Sequence, residues 1–188
     1  KSSDLHMYCK KTFSIIHSLR HLTNVLPLSL ENNLIQTLVM FHFDYCDSLF
    51  TNLNTDLAHR LQRVHNICVR FVCNIRKFDH VTPSLELLSW SPLKERRFFN
   101  SLLLLFKIIH TSTPSYLASR FVYLSLPRTR NMYLLSIPLH RTSFYSSSFS
   151  ISIPRLWNSL PDHVRDCRTI SKFKFKLKNH DLVHGIAC

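Results

Sequence analysis

Four side chains of the types that ligate metal ions lie close together in the sequence, in the order His65-x2-Cys68-x4-Cys73-x6-His80. Structural zinc sites use such residues, but they normally hold them on tight turns or knuckles. Here the segment from His65 to Cys73 has the spacing of a helix, and Cys68 falls on its apolar side. We therefore interpret Cys68 as a core residue, and the sequence predicts neither a metal site nor a cofactor in this chain.

The acidic residues do not form the pattern of a phosphoryl-transfer site. Residues 43–47 read FDYCD, which is superficially similar to the Tyr-x-Asp-Asp element of polymerases but lacks its adjacent carboxylates. Two-metal catalysis needs clustered carboxylates, whereas the eleven acidic residues are spread singly. The single glycine, Gly185, excludes glycine-rich phosphate loops. No catalytic residue is predicted, although a Ser/His/Asp or Cys/His nucleophile stays open because its members meet only in the fold.

Basic side chains offer a better candidate site. Lys and Arg number 24 against 11 Asp and Glu, a formal net charge of +13, and residues 95–188 hold 14 of these cations with four carboxylates. This asymmetry favours a polyanionic partner, nucleic acid before a membrane surface. Cations next to aromatic rings are typical of single-stranded nucleic-acid binding, which combines phosphate pairing with base stacking. Those near aromatic residues are Arg128, Arg130, Arg141, Lys172, Lys174, Lys176 and Lys178.

The first 75 or so residues have the apolar spacing of three amphipathic helices, which we expect to form a small bundle. The first begins near Asp4 and ends before Pro27. The second carries on one side Leu30, Leu34, Leu38 and Phe41. The third carries on one side Leu57, Leu61, Val64, Cys68 and Phe71. Arg60, Arg63 and Arg70 lie mainly off this stripe of the third helix.

Hydroxyl–proline pairs mark expected helix starts in the middle of the chain, because a hydroxyl can cap and proline needs no N–H in the first turn. They are Thr82-Pro83, Ser91-Pro92 and Thr113-Pro114. The second pair opens a helix to about residue 110, whose apolar run is too short to cross a bilayer. Beyond it, residues 132–138 and 148–153 have the composition of short strands. Ser171 is expected to cap a final basic helix.

These patterns predict a predominantly α-helical α+β chain, with a helical thumb-like bundle at residues 1–77 and a mixed C-terminal domain with a few short strands at 78–188. The six cysteines are scattered without a CxxC pair, which indicates free thiols in an intracellular protein. The chain begins at Lys1, so we expect it to be a piece of a longer polypeptide.

Several segments are similar, in order, to one known family. Residues 42–46 read HFDYC and residues 61–66 read LQRVHN, with His65 where that family usually has glutamine. The later segments are HVTP (80–83), LLSWSPL (87–93), RR (96–97), KIIH (107–110), PSYL (114–117), RLWNSLP (155–161) and SKFK (171–174). Together they resemble the region after the polymerase core in non-LTR (LINE-type) retrotransposon reverse transcriptases, particularly Jockey-like elements.

The resemblance implies the thumb and C-terminal region of an RNA-directed DNA polymerase, without the palm and its catalytic aspartates. The expected partners are template RNA or an RNA–DNA duplex, gripped through the backbone, and the upstream polymerase core; no membrane is expected. Such a protein would be nuclear and cytoplasmic. On this mapping Arg60, Arg63 and Arg70 contact the duplex, and the remaining cations named above engage RNA outside the palm.

Two other functions stay open. The chain is alternatively a structural or protein-interaction module, whose apolar helix faces dock on an absent polymerase core while its basic residues only solubilise it. An exposed apolar patch on residues 1–75 without a continuous positive surface would favour this. A stand-alone enzyme would instead need a pocket with convergent carboxylates or a Cys–His pair.

Overall fold

The computed structural model describes residues 2–21, 25–45, 53–124 and 133–180, and these residues are predominantly helical. They divide into two compact units, the first ending at Arg96 and the second beginning at Arg97. The boundary expected at residue 77 therefore falls inside the first unit. Within the described residues, no helix combines the length and the apolar character that crossing a membrane requires.

In its described residues, the first unit contains five helices and a short π-helical stretch, Gln36–Met40, that joins the second helix to the third. The helices are α1 (Ser2–Leu19), α2 (Leu28–Ile35), α3 (Phe41–Asp44), α4 (Thr55–Val72) and α5 (Thr82–Leu88). A sixth, α6 (Leu93–Thr111), begins in this unit and continues into the second.

Helix α4 supplies the centre of the first core. Leu61, Val64 and Cys68 are buried, which confirms the predicted apolar stripe at these residues, whereas its end members Leu57 and Phe71 are half-buried. The helix packs against α1, which contributes the buried Ile16, and against α2, which contributes Ile35. Burial of these side chains supplies the hydrophobic stabilisation of the unit.

The expected inner face of the second helix points the other way. Of the four predicted residues, Leu34 is half-buried, and the other three are each more than 40% exposed: Leu30, Leu38 and Phe41. The side that α2, the π-helical stretch and α3 bury instead consists of Glu31, Ile35, Val39, Met40 and Phe43. Both sides contain apolar residues, although the buried one also holds Glu31; α2 packs against α4, and the π-helical stretch packs against α1.

The second unit is also helical in its described part. It contains most of α6, then α7 (Ser115–Ala118), α8 (Ser143–Ser146), α9 (Phe149–Asn158), α10 (Asp162–Arg165) and α11 (Ile170–Lys178). Its core forms around Trp157 of α9 and Phe173 of α11, both fully buried, with ring centroids 5.6 Å apart. Leu102, Leu105 and Ile108 of α6 complete this core, as expected for the apolar run in that helix.

The prediction of short strands in this unit is wrong for its described residues. Residues 149–153 belong to helix α9, in which Ile151 and Ile153 are both buried and Pro154 lies inside the helix. The described part of residues 132–138 forms no strand, only an isolated antiparallel bridge between Leu135 and Tyr123. The α+β expectation therefore reduces to an α-helical one for the described residues.

Helices begin next to all three hydroxyl–proline pairs, as predicted, but two of the hydroxyls do not cap them. Val81 occupies the N-cap position of α5, and Pro114 that of α7, where Thr113 Oγ1 instead donates to the carbonyl of Thr111. Helix α11 begins at Ile170, so Ser171 lies within it and is not the cap.

Candidate nucleic-acid interface

Helix α11 places its four lysines on both flanks of a buried stripe. Phe173 and Leu177 are fully buried, one turn apart, and they fix the helix to the core of the second unit. At about 100° per residue, Lys172 and Lys176 fall on one side of this stripe and Lys174 and Lys178 on the other. The sequence alternation of lysine with apolar residues thus becomes a cationic surface around a helix, not one face of a strand.

The outer side of α11 carries an aromatic ring between these lysines. Phe175 is 69% exposed and lies opposite the buried stripe. Lys172, Lys174 and Lys178 are exposed around it, whereas Lys176 Nζ donates to the carbonyl of His163 at 2.6 Å. Three exposed ammonium groups can pair with phosphates, and the exposed phenyl ring between them can stack a base.

Arg141 lies in the exposed loop before α8, next to a second arginine that the sequence analysis did not select. Arg155 Nη2 is 2.7 Å from His140 Nε2, and its Nη1 donates to Ser146 Oγ at 3.2 Å. These contacts bring Arg155 of α9 beside the loop that carries Arg141. Arg155 lies beyond the predicted strand of residues 148–153, and its contact with His140 depends on tertiary packing that leaves no local signal in the sequence.

The three arginines selected on α4 lie within about 80° of one another around the helix. Arg60 and Arg63 are exposed. Arg60 is close enough to Cys9 of α1 that its charge partly offsets the effect of burial, which raises the pKa of that thiol. Arg70 is half-buried, and its Nη2 donates to the carbonyl of Asp79 at 3.1 Å. Arg70 therefore also ties down the turn after α4.

Arg128 and Arg130 lie outside the described residues. The other selected cations belong to separate units: Arg60, Arg63 and Arg70 to the first, Arg141 and the α11 lysines to the second.

The described part of the second unit is strongly basic. It contains eleven Lys and Arg residues and two carboxylates, Asp162 and Asp166. Asp162 forms an ion pair with Arg165, whose side chain is buried. Among these described residues, cations thus far outnumber carboxylates, and a polyanion would experience a positive potential there.

His65 and Cys68, the first half of the metal-like cluster, are core residues. Cys68 is fully buried, which confirms the interpretation from the sequence and raises the pKa of its thiol to about 12. His65 packs against Trp90 with ring centroids 5.6 Å apart. Burial and the nearby charge of Arg96 lower the pKa of His65 to about 4. Among the described residues, no three His, Cys, Asp or Glu side chains are grouped as metal ligands.

Several residues of the segments on which the resemblance rests make structural contacts. Asp44 pairs with Arg96 within the first unit. In the second unit, the side-chain amide of Asn158 both accepts from the amide nitrogen and donates to the carbonyl of Leu135, each at 2.9 Å. The neighbouring Trp157 Nε1 donates to the carbonyl of Tyr133 at 2.8 Å. The RLWNSLP segment therefore holds residues 133–135 in place.

Comparison with protein-family models, with curated proteins and with solved structures finds no match to this chain.

Proposed function

We propose that this chain is a non-catalytic part of an RNA-directed DNA polymerase of the non-LTR retrotransposon type, and that it holds template RNA or an RNA–DNA duplex through the phosphate backbone. The observation that carries the proposal is the outer side of α11, where exposed Lys172, Lys174 and Lys178 surround the exposed ring of Phe175. Phosphate pairing supplies affinity at such a surface, and stacking on the ring favours unpaired bases.

The charge of the second unit supports this proposal. Eleven cations against two carboxylates in its described residues would attract a polyanion over several ångströms. Phosphate contacts of this kind carry no sequence information. The proposed binding is therefore insensitive to RNA sequence.

Asp44 has a structural role in this proposal. Its carboxylate is paired with Arg96 and so is already neutralised by a cation of the protein. In this proposal, catalysis takes place in the polymerase core that precedes this region in the parent protein, and the present chain binds the template.

The test is RNA binding by the full chain, measured by fluorescence anisotropy between 50 and 200 mM salt. A Lys174→Ala/Lys178→Ala double variant removes two exposed ammonium groups from one flank of α11. We expect the slope of log K against log salt to fall by about 1.4, since each single-strand phosphate contact contributes about 0.7. Lys176 is left in place because its contact with His163 joins α10 to α11.

A Lys10→Ala/Lys11→Ala variant, with two exposed lysines of α1, is the matched control. It should keep the wild-type slope. Binding that ignores salt over this range, or equal losses in the two double variants, would contradict the proposal.

A protein-docking role is the second candidate, and the outward apolar residues of the first unit favour it. Leu30, Leu38, Phe41 and Tyr45 are 43–60% exposed along α2, the π-helical stretch and α3. An apolar stripe of this kind suits the surface of a missing polymerase core. A Leu38→Lys/Phe41→Lys variant should then lose binding to that core. If the α11 lysines bind RNA, this variant keeps the RNA affinity of the wild type. If they only solubilise the chain, neither the wild type nor the variant binds RNA.

A further inference from the structure

The first unit contains a cavity of about 450 Å³ that is lined by residues of α1, α4 and the turn after α4; we name it the α1–α4 cavity. Its volume is within the range of small-molecule sites. The apolar part of its wall consists of Phe13, Ile16, Ile67, Phe71 and Ile75. Two phenyl rings among these residues give the wall a surface suited to a flat aromatic ligand.

The polar lining of the α1–α4 cavity is cationic. Arg20, Arg70 and Lys77 all contribute to it, and the described lining residues include no carboxylate. The Nε atom of Arg70 is buried and, among the described residues, has no hydrogen-bond partner. Buried donors of this kind are rare in folded proteins and point to a missing acceptor.

Asn74 adds a neutral polar group to the same lining. Its side-chain amide can both donate and accept, as recognition of a base edge requires. An alkyl chain would use neither this amide nor more than one of the three cations. A nucleotide within a strand has a flat base and phosphates on both sides, which suits the aromatic wall and the several cations together.

We infer that the α1–α4 cavity binds one unstacked nucleotide of single-stranded RNA, with the base against Phe13 and Phe71 and the adjoining phosphates at Arg20, Arg70 and Lys77. This rests on the proposed function and adds to it a base-binding site on the first unit. The α11 lysines bind the RNA phosphates, whereas this cavity binds a base and so distinguishes a strand that carries bases from an abasic one.

The test compares two labelled strands of equal length on the full chain: a decamer of riboadenylate and an abasic ribose-phosphate decamer. We expect the wild type to bind the riboadenylate decamer about tenfold more tightly, as stacking of one base provides. Phe13→Ala should remove most of this preference. Phe13 is 47% exposed, so its truncation leaves the core of the unit intact.

Phe41→Ala is the matched control, because Phe41 is an exposed ring of the same unit that does not line the cavity. It should keep the tenfold preference. Phe13→Trp restores an aromatic wall and should keep it too, with quenching of the new indole by riboadenylate but not by the abasic strand.

An unchanged preference in Phe13→Ala would overturn this inference and leave the proposed function standing, provided that both strands still show the salt slope. Failure of both strands to bind would remove the proposed function and this inference with it. Stronger quenching of the Phe13→Trp indole by dodecyl phosphate than by riboadenylate would assign the cavity to an alkyl anion and overturn the inference.

Discussion

Arg96 holds the carboxylate of Asp44 at two points, with Nε 2.6 Å from Oδ1 and Nη2 2.6 Å from Oδ2. The two residues are 52 positions apart, and the pair joins the end of α3 to the first turn of α6. Both side chains are about one third exposed. A two-point guanidinium–carboxylate contact fixes direction as well as distance, so it orients α3 relative to the start of α6 within the first unit.

We expect Arg96→Lys to lower the free energy of unfolding by about 1 kcal/mol. Lysine keeps the charge but cannot make the two-point contact, and partial exposure keeps the loss small. Urea unfolding followed by circular dichroism measures it. Arg63→Lys, at an exposed position of α4, is the control and should change nothing. Equal stability of Arg96→Lys and wild type would show that charge alone matters here.

Gln62 supplies a cap that the local sequence of α6 does not contain. Its Oε1 accepts from the amide of Leu93, the first residue of α6, at 3.0 Å, and its Nε2 donates to Asn66 Oδ1 at 2.9 Å. Gln62→Ala should therefore cost about 1 kcal/mol in urea unfolding, as loss of a helix cap does. Gln36→Ala, which removes an exposed glutamine bonded to Asn32, should cost much less. A similar loss in both variants would argue against the cap.

This cap shows what the sequence can and cannot predict. The Ser91-Pro92 pair correctly predicts where α6 starts, because proline is favoured near the start of a helix. The hydrogen bond from the first amide of α6 to Gln62, 31 residues earlier, depends on how α4 packs. The sequence around α6 therefore contains no sign of it. The same holds for α2, where two apolar sides compete and only packing on α4 decides between them.

Helix α9 illustrates a second limit. Alternation of Phe149, Ile151 and Ile153 favours a strand in sequence, yet Ile151 and Ile153 lie in a helix. Both are buried although about 160° apart around that helix, because its buried side is broad. A helix buried in this way keeps only a narrow exposed side, here at Arg155, which makes its period hard to recognise in the sequence. By contrast, α11 has solvent on one side, so its lysines and its buried Phe173 and Leu177 follow the helical period.

His65 makes the stability of the fold depend on pH. The unfolded chain protonates this histidine near its ordinary pKa of 6.5, whereas burial lowers the pKa in the fold to about 4. Stability is therefore complete above pH 6.5 and falls as the pH drops from 6.5 towards 4. The loss amounts to about 2 kcal/mol at pH 5 and about 3 kcal/mol when complete.

The measurement is urea unfolding of wild type and His65→Leu at pH 7 and pH 5. Wild type should lose about 2 kcal/mol more than the variant between the two conditions. His59→Gln, which removes an exposed histidine of the same helix, should keep the wild-type dependence. An unaltered pH dependence in His65→Leu would mean that the imidazole is not held neutral in the core.

Asn158→Asp should destabilise the second unit by about 1–3 kcal/mol, because a carboxylate cannot donate to the carbonyl of Leu135 and leaves that acceptor unpaired. Chymotrypsin cleavage near Tyr133 should be faster in this variant, because residues 133–135 lose one of the side chains that hold them in place. Asn179→Asp, at an exposed position after α11, is the control and should leave the cleavage rate unchanged. Slow cleavage in Asn158→Asp would indicate that Trp157 alone anchors the segment.

Phe173 and Phe175 provide a matched pair that separates folding from binding on one helix. The ring of Phe173 is fully buried and stacks on Phe106 with centroids 4.4 Å apart, so Phe173→Ala should cost about 3–5 kcal/mol and shift the emission of the buried Trp157. Phe175→Ala should leave unfolding unchanged because its ring is in solvent. If α11 binds RNA as proposed, Phe175→Ala should weaken RNA binding severalfold at constant salt slope, since it removes stacking and keeps every ammonium group. A steeper or shallower slope in Phe175→Ala would mean that the ring positions the lysines and does not contact a base.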